Sequence, residues 1–513
     1  MLTALMILLV VFSNAAGDVF LTKGMKQVGD VSAIGMVELA ATVRRILCNG
    51  NFLLGVLCLA VSFFSFLAVL SWANLSFVVP ATAIVYVVTV LGAKFFLGEK
   101  VDRLRWGGTL LICCGVALVC LPHDISMSLP MLARPARLFF GVLTIASVCY
   151  YLVSMVAARR FFSQKPGRGA AVGSCGPISV LVPLCGADFR GYQNYASLCR
   201  QNYPQFEILF GVADPEDSSL PVVERLRADF PEVPIQLVVS ADQIGPNPKV
   251  NVLHNMLSRA SYDTLLMLDS DIRVGPDFIA TISGELSDSG GGLVTCLYRA
   301  GEAPGLPSKL EAVGISSEFA PGVLVAQMGG TISFAFGASI AVTRKALETI
   351  GGFPAIAPYL ADDYMLGNLV RKAGFPVRLS RCVVETVLSR LTTSGFFSHQ
   401  LRWARGIRAC SPWGHTGSVI TNGTALSFLY FAFSGFSRFG LLVFAAVIAM
   451  RLCMAWAVGV RHLADKILAR NLLLVPLRDF LSLFIWASAL FGRQVEWRGK
   501  LFRLEKDGRI TPQ

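Results

Sequence analysis

The sequence predicts a polytopic α-helical membrane protein that carries a cytoplasmic α/β domain between two groups of membrane helices. The chain has 513 residues and is 54% hydrophobic, which is too apolar for a soluble protein of this length. Uncharged stretches long enough to cross a bilayer occur near both ends. Between about 170 and 400 they give way to short apolar runs separated by polar segments, a pattern that is typical of an α/β sheet.

Residues 1–122 form the first predicted domain, a unit of four membrane helices joined by short loops. Its candidate spans are residues 3–21, 52–71, 75–97 and 106–121. A fifth membrane helix is predicted at residues 137–160. The first stretch is as long as a signal peptide, but no basic segment precedes it, and we interpret it as a retained span.

Basic residues indicate the orientation of these helices. The first loop contains four of them, Lys23, Lys26, Arg44 and Arg45. Loops rich in lysine and arginine face the cytoplasm, so the first loop is expected there. The fifth span then runs inward and ends at Arg159-Arg160, which puts the central polar region in the cytoplasm. Arg134 and Arg137, in the preceding outer loop, are contrary to this orientation.

Residues 172–400 form the predicted α/β domain, which follows a Gly/Pro/Ser-rich linker at 164–177. Its strand-like apolar runs are residues 178–184, 207–213, 235–239 and 264–268. Polar segments long enough to be helices separate these runs, which predicts a mostly parallel sheet. Ligands of such sheets bind at the carboxyl ends of the strands, so the polar residues after each run are candidate site residues.

Two of these runs end in acidic residues. The run at 264–268 is followed by Asp269-Ser270-Asp271, whose carboxylates can bind Mg²⁺ or Mn²⁺ together with substrate phosphates. The alternative is an ordinary polar turn after a buried strand. Asp214 follows the run at 207–213 and can accept hydrogen bonds from a nucleotide base or ribose, whereas Asp217 fits a helix N-cap.

Two further segments carry candidate residues. Asn247-Pro248-Lys249 is a loop that can direct amide and ammonium donors at a diphosphate, or a solvated turn. Asp362 and Asp363 begin a predicted helix that ends at Lys372. One of these two aspartates can act as the base that takes a proton from an acceptor hydroxyl, or both can cap the helix.

Residues 401–513 form the last predicted domain, with an interfacial helix, two or three membrane helices and a basic tail. The candidate spans are about 424–436, 438–459 and 471–492. Just before them, His399, Arg402 and Trp403 belong to a segment that can hold a leaving diphosphate, or that can lie as a basic amphipathic helix on anionic headgroups. The basic tail favours a cytoplasmic C-terminus.

Taken in this order, the motifs resemble family 2 type glycosyltransferases, specifically the ceramide glucosyltransferase group, family 21, with its bacterial hopanoid-associated relatives. That group has three separated aspartates followed by a (Gln/Arg)xxArgTrp motif. Asp214, Asp269 and Asp363 match the three aspartates, and Arg402-Trp403 matches the end of the motif. His399 stands where the group has glutamine or arginine. The resemblance spans residues 177–504 and includes Trp497-Arg498-Gly499.

The resemblance implies a GT-A (nucleotide-diphospho-sugar transferase) fold for the α/β domain. It also implies a metal-dependent, inverting transfer of a glucose-type or N-acetylglucosamine-type sugar from a UDP-sugar to a membrane lipid such as ceramide or a hopanoid. The roles that it implies are Asp214, Asn247, Lys249 and Asp269 for the donor; Asp269 and Asp271 for Mg²⁺ or Mn²⁺; Asp363, Arg402, Trp403 and His399 for catalysis; and Gly337, Ser339 and Asp362 on the acceptor side. Close packing is an equally good reason for Gly337.

Residues 1–122 resemble EamA-like and small multidrug resistance transporters, which are built from four-helix units. Asn14 stands where the small pumps have an essential glutamate, and an amide cannot titrate. This resemblance leaves open a homodimer through the unit, and a unit that moves the glycolipid made by the enzyme. A non-catalytic nucleotide-sugar sensor is a further alternative. The expected location is the bacterial inner membrane, and no nucleic-acid partner is expected.

Overall fold

The structure, a computed structural model, describes residues 2–28, 44–98, 129–163, 176–330, 332–497 and 499–513, with five single positions between 102 and 112. The predicted fourth span and the linker lie largely outside these residues. The chain divides into two compact units, Met1–Leu132 and Ala133–Gln513.

The described part of the first unit is helical. Its helices are α1 (Leu2–Val28), α2 (Gly50–Leu70), α3 (Leu75–Thr82) and α4 (Val85–Phe96). Helices α1 and α2 pack closely at glycines, since a Cβ atom on Gly17 would lie 2.7 Å from the Leu59 side chain. The predicted third span is two helices, because the chain turns at residues 83–84, just after Pro80 in the last turn of α3.

Membrane-spanning length is reached by four helices among the described residues: Leu5–Val28, Gly50–Leu70, Ala133–Ser163 and Arg438–His462. They correspond to the predicted first, second and fifth spans and to one of the C-terminal candidates. The candidates at 424–436 and 471–492 instead contain helices of 11 and 16 residues.

The second unit is built on an eight-stranded mixed sheet. Its strands are β1 (Ile178–Pro183), β2 (Phe206–Val212), β3 (Ile235–Val239), β4 (Thr264–Leu268), β5 (Ile272–Arg273), β6 (Leu293–Glu302), β7 (Ser339–Thr343) and β8 (Val377–Val387). They lie in the order β3-β2-β1-β4-β7-β6-β8-β5. Strands β1 to β4 are the four predicted ones, and they pair in parallel. Strands β6 and β8 also pair in parallel, but β7 is antiparallel to β4 and β6, and β5 is antiparallel to β8. The sheet is therefore mixed outside the four predicted strands.

Helices of this unit alternate with the strands of the sheet and follow its last strand along the chain to Ala489. They are α5 (Leu129–Ser163), α6 (Gly191–Cys199), α7 (Leu220–Asp229), α8 (Pro248–Leu257), α9 (Phe278–Asp288), α10 (Leu306–Gly314), α11 (Ala320–Met328), α12 (Arg344–Thr349), α13 (Asp362–Lys372), α14 (Thr393–Cys410), α15 (Pro412–Gly417), α16 (Gly423–Phe433), α17 (Arg438–Ala455), α18 (Lys466–Arg470) and α19 (Leu474–Ala489). A π-helical turn, Ile315–Phe319, joins α10 to α11, and another, Trp456–His462, extends α17.

Buried polar contacts connect the apolar helices of this unit. The Tyr151 hydroxyl in α5 donates to the Thr421 carbonyl at 3.0 Å and accepts from the Gly423 amide at 2.8 Å. Arg451 in α17 forms a buried ion pair with Asp479 in α19, with 2.8 Å between nitrogen and oxygen. Each of these charges lies in an apolar helix at a point where it has a partner, which offsets part of the cost of burial.

The basic tail folds into a three-stranded antiparallel sheet of β9 (Gln494–Trp497), β10 (Lys500–Leu504) and β11 (Ile510–Pro512). Apolar residues on one face of this sheet pack against Leu360. Arg408 in α14 donates to the Gly492 carbonyl just before β9 at 2.8 Å. The tail therefore packs against the α/β domain at Leu360 and against α14.

Candidate active site

A cavity of about 1010 Å³ lies at the carboxyl ends of β1, β2 and β4, where the sheet topology predicts a ligand site. Ten of the predicted residues line it: Asp214, Lys249, Asp269, Asp271, Gly337, Asp362, Asp363, His399, Arg402 and Trp403. They come from segments up to 189 residues apart in sequence (Asp214 to Trp403) and meet because their strands and helices end at one edge of the sheet.

Gly337 is the point on which three of these side chains converge. A Cβ atom there would lie 3.0 Å from the Lys249 ammonium, 3.1 Å from Asp269 Oδ2 and 3.5 Å from Asp363 Oδ2. A Cβ atom at this position would therefore press on Lys249 and Asp269 and would reach van der Waals contact with Asp363. The close-packing alternative for Gly337 and its predicted place in the site are both compatible with this geometry.

Lys249 and Asp269 form an ion pair in the cavity, with 2.6 Å between Nζ and Oδ1. Lys249 also lies 3.9 Å from the Asp362 carboxylate. Burial acts to lower the pKa of Lys249, but the charges of Asp269 and Asp362 outweigh it, and the pKa is above its ordinary value. Lys249 is thus a fixed cation where a diphosphate would need one.

Asp271 accepts a hydrogen bond of 2.7 Å from the Thr386 hydroxyl in β8. Burial, and then the charge of Asp269, raise the pKa of Asp271 to about 7. Two hard carboxylates that repel each other in one cavity fit a divalent cation, which would relieve that repulsion. The described residues contain no cluster of three or more potential metal ligands, so phosphate and water oxygens would have to complete the coordination.

Asp363 is held by two backbone amides. Its Oδ2 accepts from Gly337 N–H at 2.8 Å, and its Oδ1 accepts from Tyr364 N–H at 2.7 Å. Burial, and then the neighbouring charge of Asp362, raise the pKa of Asp363 to about 6. Neither aspartate caps α13 through its side chain, because both lie inside its first turn.

Two predicted residues do not line the cavity. Asn247 is fully buried and caps α8, with its side-chain oxygen accepting from Lys249 and Val250 amides and its nitrogen donating to the Tyr359 carbonyl. Ser339 is buried at the start of β7. Asn247 therefore lies behind the site, where it orients the turn that carries Lys249.

The loops after β1 and β2 are joined by Asp217. Its carboxylate accepts from the Gly186 amide at 2.8 Å and from the Ser219 amide at 2.8 Å. Ser219, not Asp217, is the N-cap residue of α7. Asp214 is exposed in the same loop, and its carboxylate accepts from the Glu216 amide at 2.9 Å, which turns the chain toward the cavity mouth.

Helix α14 brings His399, Arg402 and Trp403 to the other side of the cavity. The His399 and Trp403 rings lie 4.5 Å apart, and the Arg402 guanidinium lies 5.7 Å from the Trp497 ring of β9. Two residues of the wall, Glu311 and Trp497, are not among the predicted site residues. Glu311 is a lone carboxylate in an otherwise apolar turn of α10, which is a signal that the sequence does contain.

A cavity that places a cation, paired carboxylates and an amide-bound aspartate at the strand ends of an α/β sheet fits a nucleotide-sugar-dependent glycosyltransferase. The family described as Glycosyl transferase family 21 matches residues 139–510, and the chain belongs to this family. Membership confirms the predicted family and the GT-A fold of the α/β domain. The EamA-like transporter family matches residues 49–121, which confirms the resemblance of the first unit.

Curated relatives agree with this assignment. Ceramide glucosyltransferase 1 of Caenorhabditis elegans is 25% identical over 393 residues, which cover 74% of this chain and 81% of the relative. The ceramide glucosyltransferase of Candida albicans is 36% identical over 107 residues, 18% of this chain and 20% of that protein.

Two solved structures are similar at low identity. A mannosyltransferase, PcManGT, from Pyrobaculum calidifontis in complex with GDP-Man and Mn²⁺ has 17% identity and a TM-score of 0.44, with 69% of this chain and 96% of that one covered. Residues 1–349 of S. aureus TarS in complex with UDP-GlcNAc have 15% identity and a TM-score of 0.31, with 66% and 99% covered.

Proposed function

We propose that the chain transfers a glucose-type or N-acetylglucosamine-type sugar from a UDP-sugar to a membrane lipid, such as ceramide or a hopanoid, with inversion at the anomeric carbon. The observation that carries the proposal is the approach of Lys249, Asp269 and Asp363 to Gly337. It brings a cation for the diphosphate, a metal ligand and a base within reach of one substrate. The curated ceramide glucosyltransferases support a lipid acceptor.

The donor would bind at the strand ends of β1, β2 and β4. Asp214 is exposed at the mouth of the cavity, where its carboxylate can accept from the nucleotide. Asp269 and Asp271 would hold Mg²⁺ or Mn²⁺. When bound, this ion would neutralise charge on the leaving diphosphate. Lys249 can add a second positive charge to the same group.

Asp363 would take the proton from the acceptor hydroxyl as the anomeric carbon is attacked. The amides of Gly337 and Tyr364 hold both of its oxygens, so the carboxylate needs little reorganisation to reach its reactive orientation. A pKa of about 6 keeps it ionised at neutral pH and makes it a stronger base than an ordinary aspartate. Arg402 and Trp403 would contact the leaving group or the acceptor from α14.

The acceptor would come from the membrane. Ile315, Phe319 and Leu388 line the part of the cavity near α10, and an apolar wall of this kind suits a lipid. The basic first loop and tail support a catalytic domain on the cytoplasmic side of a bacterial inner membrane. A homodimer through the first unit is part of the same proposal.

The test is lipid mass spectrometry on membranes that contain the full chain, supplied with a panel of UDP-sugars and Mg²⁺ or Mn²⁺. The wild type and a control, Asp288→Asn at an exposed position of α9, should make a new glycolipid. Asp363→Asn should make about 100-fold less or none, because it cannot accept the proton. Equal product from Asp363→Asn would remove Asp363 from the mechanism, and donor binding without consumption would favour the sensor alternative.

The match of residues 49–121 to the EamA-like transporter family favours a second activity, movement of the glycolipid product across the membrane. Deletion of residues 1–122 separates the two activities. If the unit only moves the product, sugar transfer persists and the glycolipid accumulates in the leaflet where it is made. If transfer collapses in a deleted chain that still binds the donor, the unit instead shapes the enzyme.

A further inference from the structure

Glu311 is a buried carboxylate at the apolar side of the cavity. It lies in α10, and only 2% of its side chain is exposed. An ionised carboxylate at such a position is costly unless hydrogen bonds satisfy it. Its Oε2 lies 3.1 Å from His399 Nδ1 and 3.4 Å from Gln400 Nε2, so two adjacent residues of α14 provide these bonds.

The orientation of Gln400 is determined by Arg478 in α19. The Arg478 guanidinium donates to Gln400 Oε1 at 2.6 Å and to Glu318 Oε2 at 3.1 Å. Because arginine only donates, the carbonyl end of Gln400 must face Arg478, and its amide nitrogen is left to face Glu311. Both His399 and Gln400 bond to Oε2 of Glu311, so this oxygen faces the His399 ring.

The same reasoning assigns the tautomer of His399. A carboxylate only accepts, so the proton of the shared hydrogen bond belongs to His399 Nδ1. In the neutral ring the other nitrogen, Nε2, then carries a lone pair and is a hydrogen-bond acceptor. The ring lines the cavity and is 28% exposed, and Trp403 packs against it at 4.5 Å. Its Nε2 edge, opposite the one that Glu311 holds, is available to a ligand in the cavity.

We propose that Glu311 and His399 form a dyad that recognises the acceptor head group. His399 Nε2 accepts a hydrogen bond from a second polar hydrogen of the acceptor, next to the hydroxyl that receives the sugar, and Glu311 is the positioning residue. This inference rests on the proposed function and specifies its acceptor class. The acceptor is a lipid with a hydroxyl and a neighbouring N–H or O–H group, as in ceramide or a hopanoid polyol. Diacylglycerol has one hydroxyl and no other hydrogen-bond donor, so it should be a poor acceptor.

The experiment measures kcat and KM of the full chain with three acceptors in turn: ceramide, a hopanoid polyol and diacylglycerol. We expect the wild type to use ceramide or the polyol about tenfold better than diacylglycerol in kcat/KM. The acceptor that shows this preference identifies which group, an N–H or a second O–H, donates the hydrogen bond to His399. His399→Phe keeps a ring beside Trp403 but removes both nitrogens. It should abolish the preference, mainly through KM for the preferred acceptor.

Two further variants complete the design. Glu311→Gln can pair with either tautomer, so it should reduce the preference less than His399→Phe does. His254→Phe, in α8 and outside the cavity wall, is the matched control and should retain the preference. Because the preference is a ratio, partial misfolding of a variant cancels from it.

The outcomes separate this inference from the function on which it rests. If the wild type glycosylates diacylglycerol with the same kcat/KM as the other lipids, the dyad does not recognise the acceptor, but the glycosyltransferase proposal remains intact. An equal loss for all acceptors in His399→Phe would overturn the dyad's role as well. A wild type that makes no product with any acceptor and any UDP-sugar would contradict the proposed function and this inference with it.

Discussion

Substitution of Gly337 by alanine tests the geometry of the site with one added methyl group. The new Cβ atom would lie 3.0 Å from Lys249 Nζ and 3.1 Å from Asp269 Oδ2, so each of these atoms must retreat by a few tenths of an ångström. Both are ends of flexible side chains, and the backbone amide that holds Asp363 is retained. Stability should therefore change little. A misplacement of 1 Å can cost about 100-fold in rate, so a third of that distance should lower kcat by about fivefold.

The assay is initial-rate glycolipid formation at saturating donor, together with the thermal unfolding midpoint of the purified chain. Gly275→Ala is the control, because a Cβ atom there meets nothing within 4 Å. It should leave both the rate and the midpoint unchanged. If Gly337→Ala folds and keeps the wild-type kcat, the close approach of these side chains does not set the catalytic geometry, and the reasoning is wrong.

Three other outcomes are expected. The transfer rate should be constant above neutral pH and should fall about tenfold per pH unit below about 6, because Asp363, whose raised pKa is about 6, is then protonated and cannot act as a base. A kcat/KM profile from pH 5 to 8 measures this. A flat profile would count against Asp363. Chelation with EDTA should stop transfer, and added Mn²⁺ or Mg²⁺ should restore it. The Asp269→Asn variant should need a higher metal concentration than the wild type. Transfer that continues in EDTA would contradict a metal site. Arg451→Met should destabilise the second unit by about 3–5 kcal/mol, because Asp479 is left charged and buried, and the added change Asp479→Leu should recover part of the loss in a thermal unfolding assay in detergent.

Local sequence patterns were sufficient for the central strands and for most of the candidate site. Strands β1, β2 and β4 are short apolar runs that are largely buried, and each ends where polar residues follow it in the sequence. Asp269 and Asp214 follow such runs directly, so their position at the strand ends could be read from the sequence. The long uncharged helices could also be predicted, because a candidate membrane span is recognised from the length and composition of one continuous segment.

The contacts between distant segments could not be read in this way. Asn247 has the composition of a ligand-binding loop residue, yet its side chain caps α8 and bonds to the Tyr359 carbonyl, 112 residues away. The basic tail has the charge of a membrane anchor, yet alternate apolar residues fold it into a sheet that brings Trp497 to Arg402. Glu311 is a lone carboxylate beside apolar residues, but it belongs to none of the motifs, and its contacts with α14 make it part of the site.

By itself the sequence indicated which apolar segments are candidate membrane helices, located strands β1 to β4, and contained the motifs of the family, because each of these depends on residues close together in the chain. Only the tertiary structure decided that Lys249, Asp269 and Asp363 meet at Gly337, and that Glu311 holds His399. Those contacts join segments between about 20 and 115 residues apart, and their geometry follows from packing of the whole sheet and its helices, which local pattern does not encode.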